Sequence, residues 1–375
     1  MQIDGNFDGG NIEVRDATDP AAIRLAIRPD RYSHYFQWFA FRVVGARGKP
    51  CRFILENAAE SGYPAGWSGY RAVGAHDARS WRRLDTHYAD GRLVITATPD
   101  SDVFWIAYFG LYTEADHAAF LARTLRDERA RLRVLGSTLD GRSMDLLTIG
   151  TPGNGKRNIW VIARQHSGET MASWFVDGFV ARLLDRSDAV AQDLLRRCVF
   201  HVVPNMNPDG SRRGHLRCNA AGVDLNREWA TPRPGRSPEV FLVRARMLET
   251  GVDGFLDVHG DEVCPHNFLI GSQGIPNQTP AMSAMFDAYR AALVTASPDY
   301  HPHNGNWQPD PPPGNLTIGS RWVANRFGCL AITIEMPFQD ETDTPDAAAG
   351  WSPARSEAFG RAHLDALAAV VPTLR

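Results

Sequence analysis

The sequence predicts an α/β protein in which a smaller antiparallel β-sandwich domain, residues 1–114, precedes a larger domain, residues 115–375, built on a mixed sheet flanked by helices. Two observations support this division. Short apolar runs separated by Gly, Pro and Asp fill the first part, as expected for a sandwich of short strands. Beyond Thr113, apolar runs alternate with helical segments, which is typical of a sheet covered by helices.

The strands of the first domain are predicted from apolar and aromatic runs between which no long helical period occurs. Turn-forming residues separate these runs, so each is short. The candidate strands are residues 35–43, 52–55, 92–97 and 103–108.

The second domain is predicted to begin with a helix over residues 115–135, where Ala, Leu and Arg dominate, and to end that helix at Gly136. Buried strands are expected at residues 159–163, 199–203, 254–258 and 330–334. Further helices are expected at residues 170–184, from Pro238 onward and at residues 354–370. Six prolines between Pro298 and Pro313 predict a long loop, a kind of segment that often carries function.

Composition excludes several classes of protein. The formal net charge of −3 gives no reason to expect nucleic acid or an anionic membrane as a partner. No run of 18 apolar residues occurs, and the polar N-terminus lacks the features of a signal peptide, so a cytoplasmic location is predicted. Five scattered cysteines without a CxxC pair are predicted to be reduced and mostly buried. The sequence does not indicate an oligomeric state.

The most informative segment is His166-Ser167-Gly168-Glu169, directly after a predicted strand. An imidazole and a carboxylate three residues apart at the start of a helix can point at one centre, and both are zinc ligands. A lone HxxE is a weak motif that arises easily by chance.

A third ligand is needed, since catalytic zinc usually takes three protein ligands and leaves one position for water. His259 is the best candidate because it also follows a buried strand, where an α/β sheet presents its functional loops. His201 is interpreted as a core residue. His215 and His266 lie nearer the motifs and remain alternatives.

Other polar residues supply what a metal-dependent hydrolase of this kind needs. The segment Asn207-Pro208-Asp209-Gly210 follows the next strand, and Arg217 and the pair Asn226-Arg227 come after it. Glu335 ends a nearly all-apolar strand, so its carboxyl group is expected to be partly buried with a raised pKa, as suits a proton shuttle. Fixed cations can bind a carboxylate or a developing oxyanion.

In this order, the motifs resemble the funnelin family of zinc carboxypeptidases, and most closely its cytosolic carboxypeptidase, or deglutamylase-type, branch. The spacing NPDG-x3-G-x2-R-C-x3-G-x-D-L-N-R-x-W, from Asn207 to Trp229, marks that branch. The aromatic run at residues 35–43 resembles the start of the branch's extra β-sandwich, and residues 107–113 resemble its end. The resemblance therefore covers nearly the full chain and implies a carboxypeptidase-type sheet in residues 115–375.

The resemblance implies a role for each motif residue. It implies that His166, Glu169 and His259 bind zinc, and that the substrate is a peptide or protein C-terminus. Glu335 would be the general base that activates water and then the acid that protonates the leaving amine. Arg217 would stabilise the oxyanion that develops at the scissile carbonyl. Asn226 and Arg227 would bind the terminal carboxylate of the substrate.

Substrate preference is less directly indicated. Arg321 lies where the family's pocket-lining segment should fall, and we expect it either to read an acidic C-terminal side chain or to be structural. The chain has no tyrosine between Tyr300 and Glu335, where secreted relatives carry a substrate-covering tyrosine; Trp307 and Trp322 are candidate replacements.

Three alternatives stay open. Asp261 and Glu262, which follow His259, are interpreted as solvated loop residues, although they could instead orient a ligand histidine. The same zinc fold serves deacylases of N-acyl amino acids, such as aspartoacylase-like enzymes. A non-catalytic peptide-binding module is the third alternative, against which the presence of Glu335 and all three expected ligands argues.

Overall fold

The computed structural model describes residues 1–302 and 312–374. The first domain is formed by ten strands: β1 (Gln2–Asp4), β2 (Glu13–Asp16), β3 (Ile23–Ala26), β4 (Ala40–Val44), β5 (Cys51–Leu55), β6 (Val73–Ala75), β7 (Arg82–Arg83), β8 (Asp85–Ala89), β9 (Arg92–Ala97) and β10 (Val103–Ala107). They form two five-stranded sheets, in the orders β1-β4-β10-β6-β7 and β2-β3-β5-β9-β8.

The two sheets are antiparallel apart from the parallel pair β3 and β5, and they share one apolar core. Phe41 of β4 and Phe53 of β5 belong to different sheets, and their ring centroids are 5.5 Å apart. Large buried aromatic side chains of this kind supply much of the free energy of folding. The predicted β-sandwich is therefore confirmed.

The second domain is built on a seven-stranded mixed sheet. Its strands are β11 (Ala130–Ser137), β12 (Ser143–Ile149), β13 (Arg157–Ala163), β14 (Cys198–Val203), β15 (Gly254–Asp261), β16 (Phe268–Ile270) and β17 (Leu330–Pro337), in the order β11-β12-β14-β13-β15-β17-β16. The four central strands are parallel, and antiparallel strands close both edges. This confirms the predicted mixed sheet and all four predicted buried strands.

Eight helices accompany these strands in the described part of the chain: α1 (Glu114–Thr124), α2 (Thr170–Leu183), α3 (Ala189–Arg197), α4 (Pro208–Arg213), α5 (Pro238–Thr250), α6 (Pro280–Ala296), α7 (Gly319–Phe327) and α8 (Pro353–Val370). The longest helix, α8, packs closely on α2 at two glycines. A Cβ atom at Gly178 would lie 2.0 Å from the Glu357 carbonyl oxygen, and one at Gly360 would lie 2.1 Å from that of Phe175.

The single helix predicted over residues 115–135 is wrong. A capping box formed by Thr113 and Asp116 starts α1, but the helix ends at Thr124. Residues 130–137 instead form β11, an edge strand that pairs antiparallel with β12. Ala, Leu and Arg are good helix formers, but intrinsic helix propensity is small in energy, and pairing with a neighbouring strand overrides it.

Other expectations can be compared directly. All five cysteines are buried and unbridged, as predicted. His201 lies in β14 and is buried against the Trp160 ring, which confirms it as a core residue. Among the described residues, no helix has the length and apolar character needed to cross a bilayer.

Candidate active site

Three buried side chains converge at the carboxyl end of the central strands. His166 lies in the turn that follows β13, Glu169 immediately precedes α2, and His259 lies in β15. Nδ1 of His166 is 2.7 Å from Oε1 of Glu169, and Nδ1 of His259 is 2.9 Å from Oε2 of the same carboxylate. The two Nδ1 atoms are 3.2 Å apart. The fold therefore brings His259, the expected third donor, to His166 and Glu169 of the HxxE motif.

A carboxylate contacts the outer nitrogen of each of these imidazoles. Nε2 of His166 is 3.1 Å from Oδ1 of Asp224, and Nε2 of His259 is 2.9 Å from Oδ1 of Asp257. Such contacts fix the tautomer of each ring and turn Nδ1 toward the common centre. Sequence reasoning missed both carboxylates. The alternation of a strand could have indicated Asp257, because it lies on the same face of β15 as His259.

The donor set fits zinc. Two imidazole nitrogens and one carboxylate are a known three-ligand set for a catalytic zinc ion. Burial alone would raise the pKa of Glu169, but His166 and His259 lower it to about 2. The carboxylate is thus ionised, as metal binding requires.

Glu335 lies beside this cluster because its strand is the neighbour of β15. In the parallel pairing of β15 and β17, Glu335 is the register partner of His259. Its Oε2 is buried and has no hydrogen-bond partner in the described structure. Burial and the nearby Glu169, Asp261 and Glu262 carboxylates raise the pKa of Glu335, although His259 opposes this. The expectation of a buried carboxyl group with a raised pKa is thus met.

Arg217 is buried between the two domains. Its Nε donates to Oδ2 of Asp224 at 2.8 Å. The rings of Tyr35 and Tyr63, from the first domain, flank its guanidinium with centroids 5.5 and 5.9 Å from the central carbon. Burial lowers the pKa of Arg217, but Asp224 and its other anionic neighbours raise it well above the usual value, so it stays charged.

The backbone that carries Arg217 is also held by the first domain. The Asp30 carboxylate accepts hydrogen bonds from the backbone N–H groups of Leu216, Arg217 and Cys218, at 2.6, 2.8 and 2.8 Å. His215, which the sequence left open as an alternative metal ligand, is held in the same interdomain segment by hydrogen bonds at both of its ring nitrogens. Its Nδ1 is 2.9 Å from the Cys218 carbonyl oxygen, and its Nε2 accepts from a backbone N–H of the first domain.

Asn226 and Arg227 follow on a short 3₁₀ helix, Leu225–Arg227. Oδ1 of Asn226 accepts from the backbone N–H of Gly319 at 2.8 Å, which fixes the amide. The Arg227 side chain is 51% exposed. Its Nη1 donates to the Asn226 carbonyl oxygen. The Asn226 side chain is therefore fixed, whereas the exposed Arg227 side chain has room to move onto a ligand.

Except for His259, all the predicted site residues line one cavity of about 790 Å³. His259 is buried behind that wall, where its Nδ1 contacts the lining residue Glu169. Arg321 contributes to its wall from α7 and donates to three backbone carbonyl oxygens, those of Asn315, Gln273 and Gly274. Tyr63 reaches the same cavity from the first domain. Sequence reasoning missed Tyr63 because it lies about a hundred residues before the first site motif, where no spacing rule applies.

The geometry can now be compared with known proteins. Residues 3–109 match the family model for the cytosolic carboxypeptidase N-terminal domain, and residues 119–355 match the model for zinc carboxypeptidases. The chain belongs to the zinc carboxypeptidase family. The expected metal is accordingly zinc, and the chain is a peptidase with the predicted fold.

Relatives of this zinc carboxypeptidase include cytosolic carboxypeptidase 2 of Xenopus tropicalis, 31% identical over 74% of the chain. The match covers only 32% of the length of that relative. An uncharacterised protein of Zymomonas mobilis is 46% identical and matches over 97% of its own length. The metallo-carboxypeptidase structures from Burkholderia cenocepacia and Pseudomonas aeruginosa are 44% and 43% identical, cover all of both chains, and give TM-scores of 0.97 and 0.96.

One expectation about this carboxypeptidase needs correction. Asp261 and Glu262 are buried at the cavity wall, so the interpretation as solvated loop residues is wrong. Backbone N–H groups of Val263 and Cys264 donate to Asp261, which explains how a buried carboxylate is tolerated there. The group that contacts His259 is Asp257.

Of the two tryptophans suggested as replacements for a covering tyrosine, the structure describes Trp322. Trp322 packs beside Trp229 and under the Arg244 guanidinium, which lies 4.0 Å from its ring centroid. It does not belong to the described lining of the cavity. Trp307 lies outside the described residues.

Proposed function

We propose that this zinc carboxypeptidase hydrolyses the C-terminal peptide bond of peptides or proteins, with His166, Glu169 and His259 as the metal ligands. The observation that carries the proposal is the convergence of these three donors beside one cavity that His166, Glu169 and Glu335 line. The buried Oε2 of Glu335 has no hydrogen-bond partner among the described residues. A bound zinc ion would lower the pKa of a water molecule and polarise the scissile carbonyl.

Glu335 acts as the proton carrier in this proposal. Its unpartnered Oε2 is available to take a proton from the attacking water, and the same oxygen can deliver that proton to the leaving amine. The raised pKa favours this double role, because a carboxylate of ordinary pKa would be a weak base near neutral pH.

Three cationic or polar groups bind the substrate. Arg217, held by Asp224 and the two tyrosine rings, donates to the oxyanion that develops at the scissile carbonyl. Asn226 and Arg227 bind the terminal carboxylate, for which the planar guanidinium provides paired donors. The Pseudomonas aeruginosa relative was solved with (2-guanidinoethylmercapto)succinic acid, and succinic acid carries carboxylates of the kind that such a pocket would bind.

Arg321 is proposed to select acidic C-terminal side chains. Three backbone carbonyls hold its guanidinium at the cavity wall, so its charge has a fixed position. A fixed charge can discriminate between substrates because it needs little reorganisation on binding. The cytoplasmic location predicted from the sequence is also retained as a proposal, in keeping with relatives named cytosolic carboxypeptidases.

The activity is tested with peptides that differ only at the C-terminus. Peptides ending in Glu, Lys and Phe are compared by kcat/KM, with an N-acetylated amino acid as the deacylase substrate. Preference for Glu that Arg321→Gln removes would support the role of Arg321. Equal cleavage of all three peptides would contradict that role, and hydrolysis of the N-acetylated amino acid alone would contradict the peptidase.

The role of Glu335 is tested separately with Glu335→Gln. We expect turnover to fall by a factor of about 10² to 10⁴, the range typical of a lost general base, while the zinc content stays that of the wild type. Unchanged turnover would remove Glu335 from the mechanism.

A further inference from the structure

We propose that His266, Glu341 and Asp343, together with Asn267, form a second binding site for a divalent transition-metal cation such as Zn²⁺. The cluster shares no residue with the donors His166, Glu169 and His259. The inference therefore goes beyond the peptidase activity and does not depend on it.

The donors of this second cluster lie within the same span as those of the first. Nδ1 of His266 lies 2.7 Å from Oε1 of Glu341 and 3.5 Å from Oδ2 of Asp343. The corresponding distances between the Nδ1 atoms and Glu169 at the active site are 2.7 and 2.9 Å. In each cluster, one ligand atom from every member lies within 4.8 Å of the others. One cation can bridge donors at such separations, because each would lie about 2.0–2.2 Å from it.

Asn267 supplies an independent observation. Its backbone N–H and its Nδ2 both donate to Oε2 of Glu341, at 3.0 and 3.2 Å, and Nδ2 also donates to the Asp299 carbonyl oxygen. These acceptors fix the orientation of the amide. The side chain is 1% exposed, yet its Oδ1 accepts no hydrogen bond in the described structure. A buried acceptor without a partner costs about 1–3 kcal/mol. In this proposal, the cation held by the adjacent His266 and by Glu341 is the partner of Oδ1 and offsets that cost.

The donor chemistry restricts the metal. An imidazole with two carboxylates and an amide oxygen suits zinc or manganese, whereas calcium and magnesium sites are built from oxygen ligands. Glu341 is buried, and the Asp343 side chain is 41% exposed, so the cluster has both a fixed inner ligand and a route from solvent.

The position of the cluster suggests what the metal would do. His266 lies between Cys264 and Phe268, which both line the active-site cavity, in the loop that follows β15. Glu341 and Asp343 lie in the loop that follows β17, the strand of Glu335. A metal bound to both loops would tie the cavity wall to the segment that continues from the strand of the general base.

The test is the metal stoichiometry of the full chain, measured by mass spectrometry after dialysis against zinc and desalting. We expect two equivalents for the wild type, one for the double variant His266→Gln/Asp343→Asn, and one for His166→Gln, which lacks an active-site ligand. The control Asp346→Asn changes a carboxylate in the same loop that caps only backbone N–H groups, and it should retain two equivalents.

One equivalent in the wild type and none in His166→Gln would overturn the proposal, leaving the cluster as a hydrogen-bonded structural contact. Two equivalents in the double variant would overturn it as well. Because Asp343 is exposed, Asp343→Asn alone gives a folded variant in which the second equivalent should bind more weakly. Hydrogen exchange of residues 262–268 in the wild type should slow when the second equivalent of Zn²⁺ is added, and a purely structural contact would show no such response.

Discussion

Asp30 provides a sharp test of the idea that the first domain is part of the active site. Its carboxylate lies in the first domain and accepts three backbone hydrogen bonds from the segment that carries Arg217. Oδ2 accepts from Arg217 and Cys218, and Oδ1 accepts from Leu216. The variant Asp30→Asn keeps one acceptor oxygen and turns the other into an N–H₂ group.

The expected loss can be worked out from these contacts. If the amide oxygen of the variant takes the place of Oδ2, the bond from Leu216 is lost, and a hydrogen bond to a charged group is worth about 1.5–3 kcal/mol. Burial raises the pKa of Asp30, so the native carboxylate carries a desolvation cost that the neutral amide avoids. We therefore expect the free energy of unfolding to fall by about 1.5–2 kcal/mol, the lower part of that range.

In Asp30→Asn we expect a loss of catalytic activity in addition to the loss of stability. Displacing the Arg217 segment misplaces the proposed oxyanion donor, so kcat should drop by about tenfold, which is less than the 10²–10³ expected for removing such a donor outright. KM should change little, because Asn226 and Arg227 are held by other contacts. The assay is steady-state cleavage of a C-terminal peptide, with zinc content measured in parallel.

A matched control is available in the same domain. Asp16 is a surface carboxylate that, among the residues the structure describes, accepts only from the backbone N–H and the hydroxyl group of Thr18. Asp16→Asn should leave kcat unchanged. Wild-type kcat in Asp30→Asn, or an equal loss in both variants, would refute the reasoning.

Three further predictions concern metal binding, pH and packing. Asp257→Asn should weaken zinc binding about 10- to 100-fold in a competitive chelator titration, because it removes the carboxylate that orients His259. Burial raises the pKa of Glu239 from 4.5 to about 7, so the folded state binds this proton more tightly and stability is lost as pH rises through about 7. Glu239→Gln should remove that loss, worth about 3 kcal/mol in urea denaturation at pH 8, with no gain below pH 4.5. Gly66→Ala places a methyl carbon 2.3 Å from a carbonyl oxygen of the cavity wall and should lower the free energy of unfolding by about 1–3 kcal/mol, whereas Gly235→Ala, in open space, should not.

Much of the second domain could be predicted because its strands and helices are marked by patterns within short stretches of sequence. The strands that carry His259 and Glu335 are apolar runs, and their parallel pairing follows from alternation with helices. The helix predicted over residues 115–135 is too long because helix propensity does not decide the structure of a segment that can pair with a neighbouring strand.

The supporting contacts of the site were harder to predict. Tyr63 and Asp30 reach Arg217 from more than 150 residues away, through contacts between domains that leave no pattern in the sequence. Asp224 was part of a recognised motif, but its dual contact with His166 and Arg217 appears only in three dimensions. Local motifs therefore predict the candidate reactive groups, whereas tertiary structure is needed to identify the residues that position them.

The central claim is that zinc held by His166, Glu169 and His259 supports hydrolysis at a peptide C-terminus. The most direct measurement is mass spectrometry of a peptide with a free C-terminus and of the same peptide amidated, each incubated with the enzyme. We expect the free peptide alone to lose one residue, and we expect a chelator to abolish this cleavage and added zinc to restore it. Cleavage of the amidated peptide at the same rate, or cleavage that persists in the chelator after zinc is removed, would contradict it.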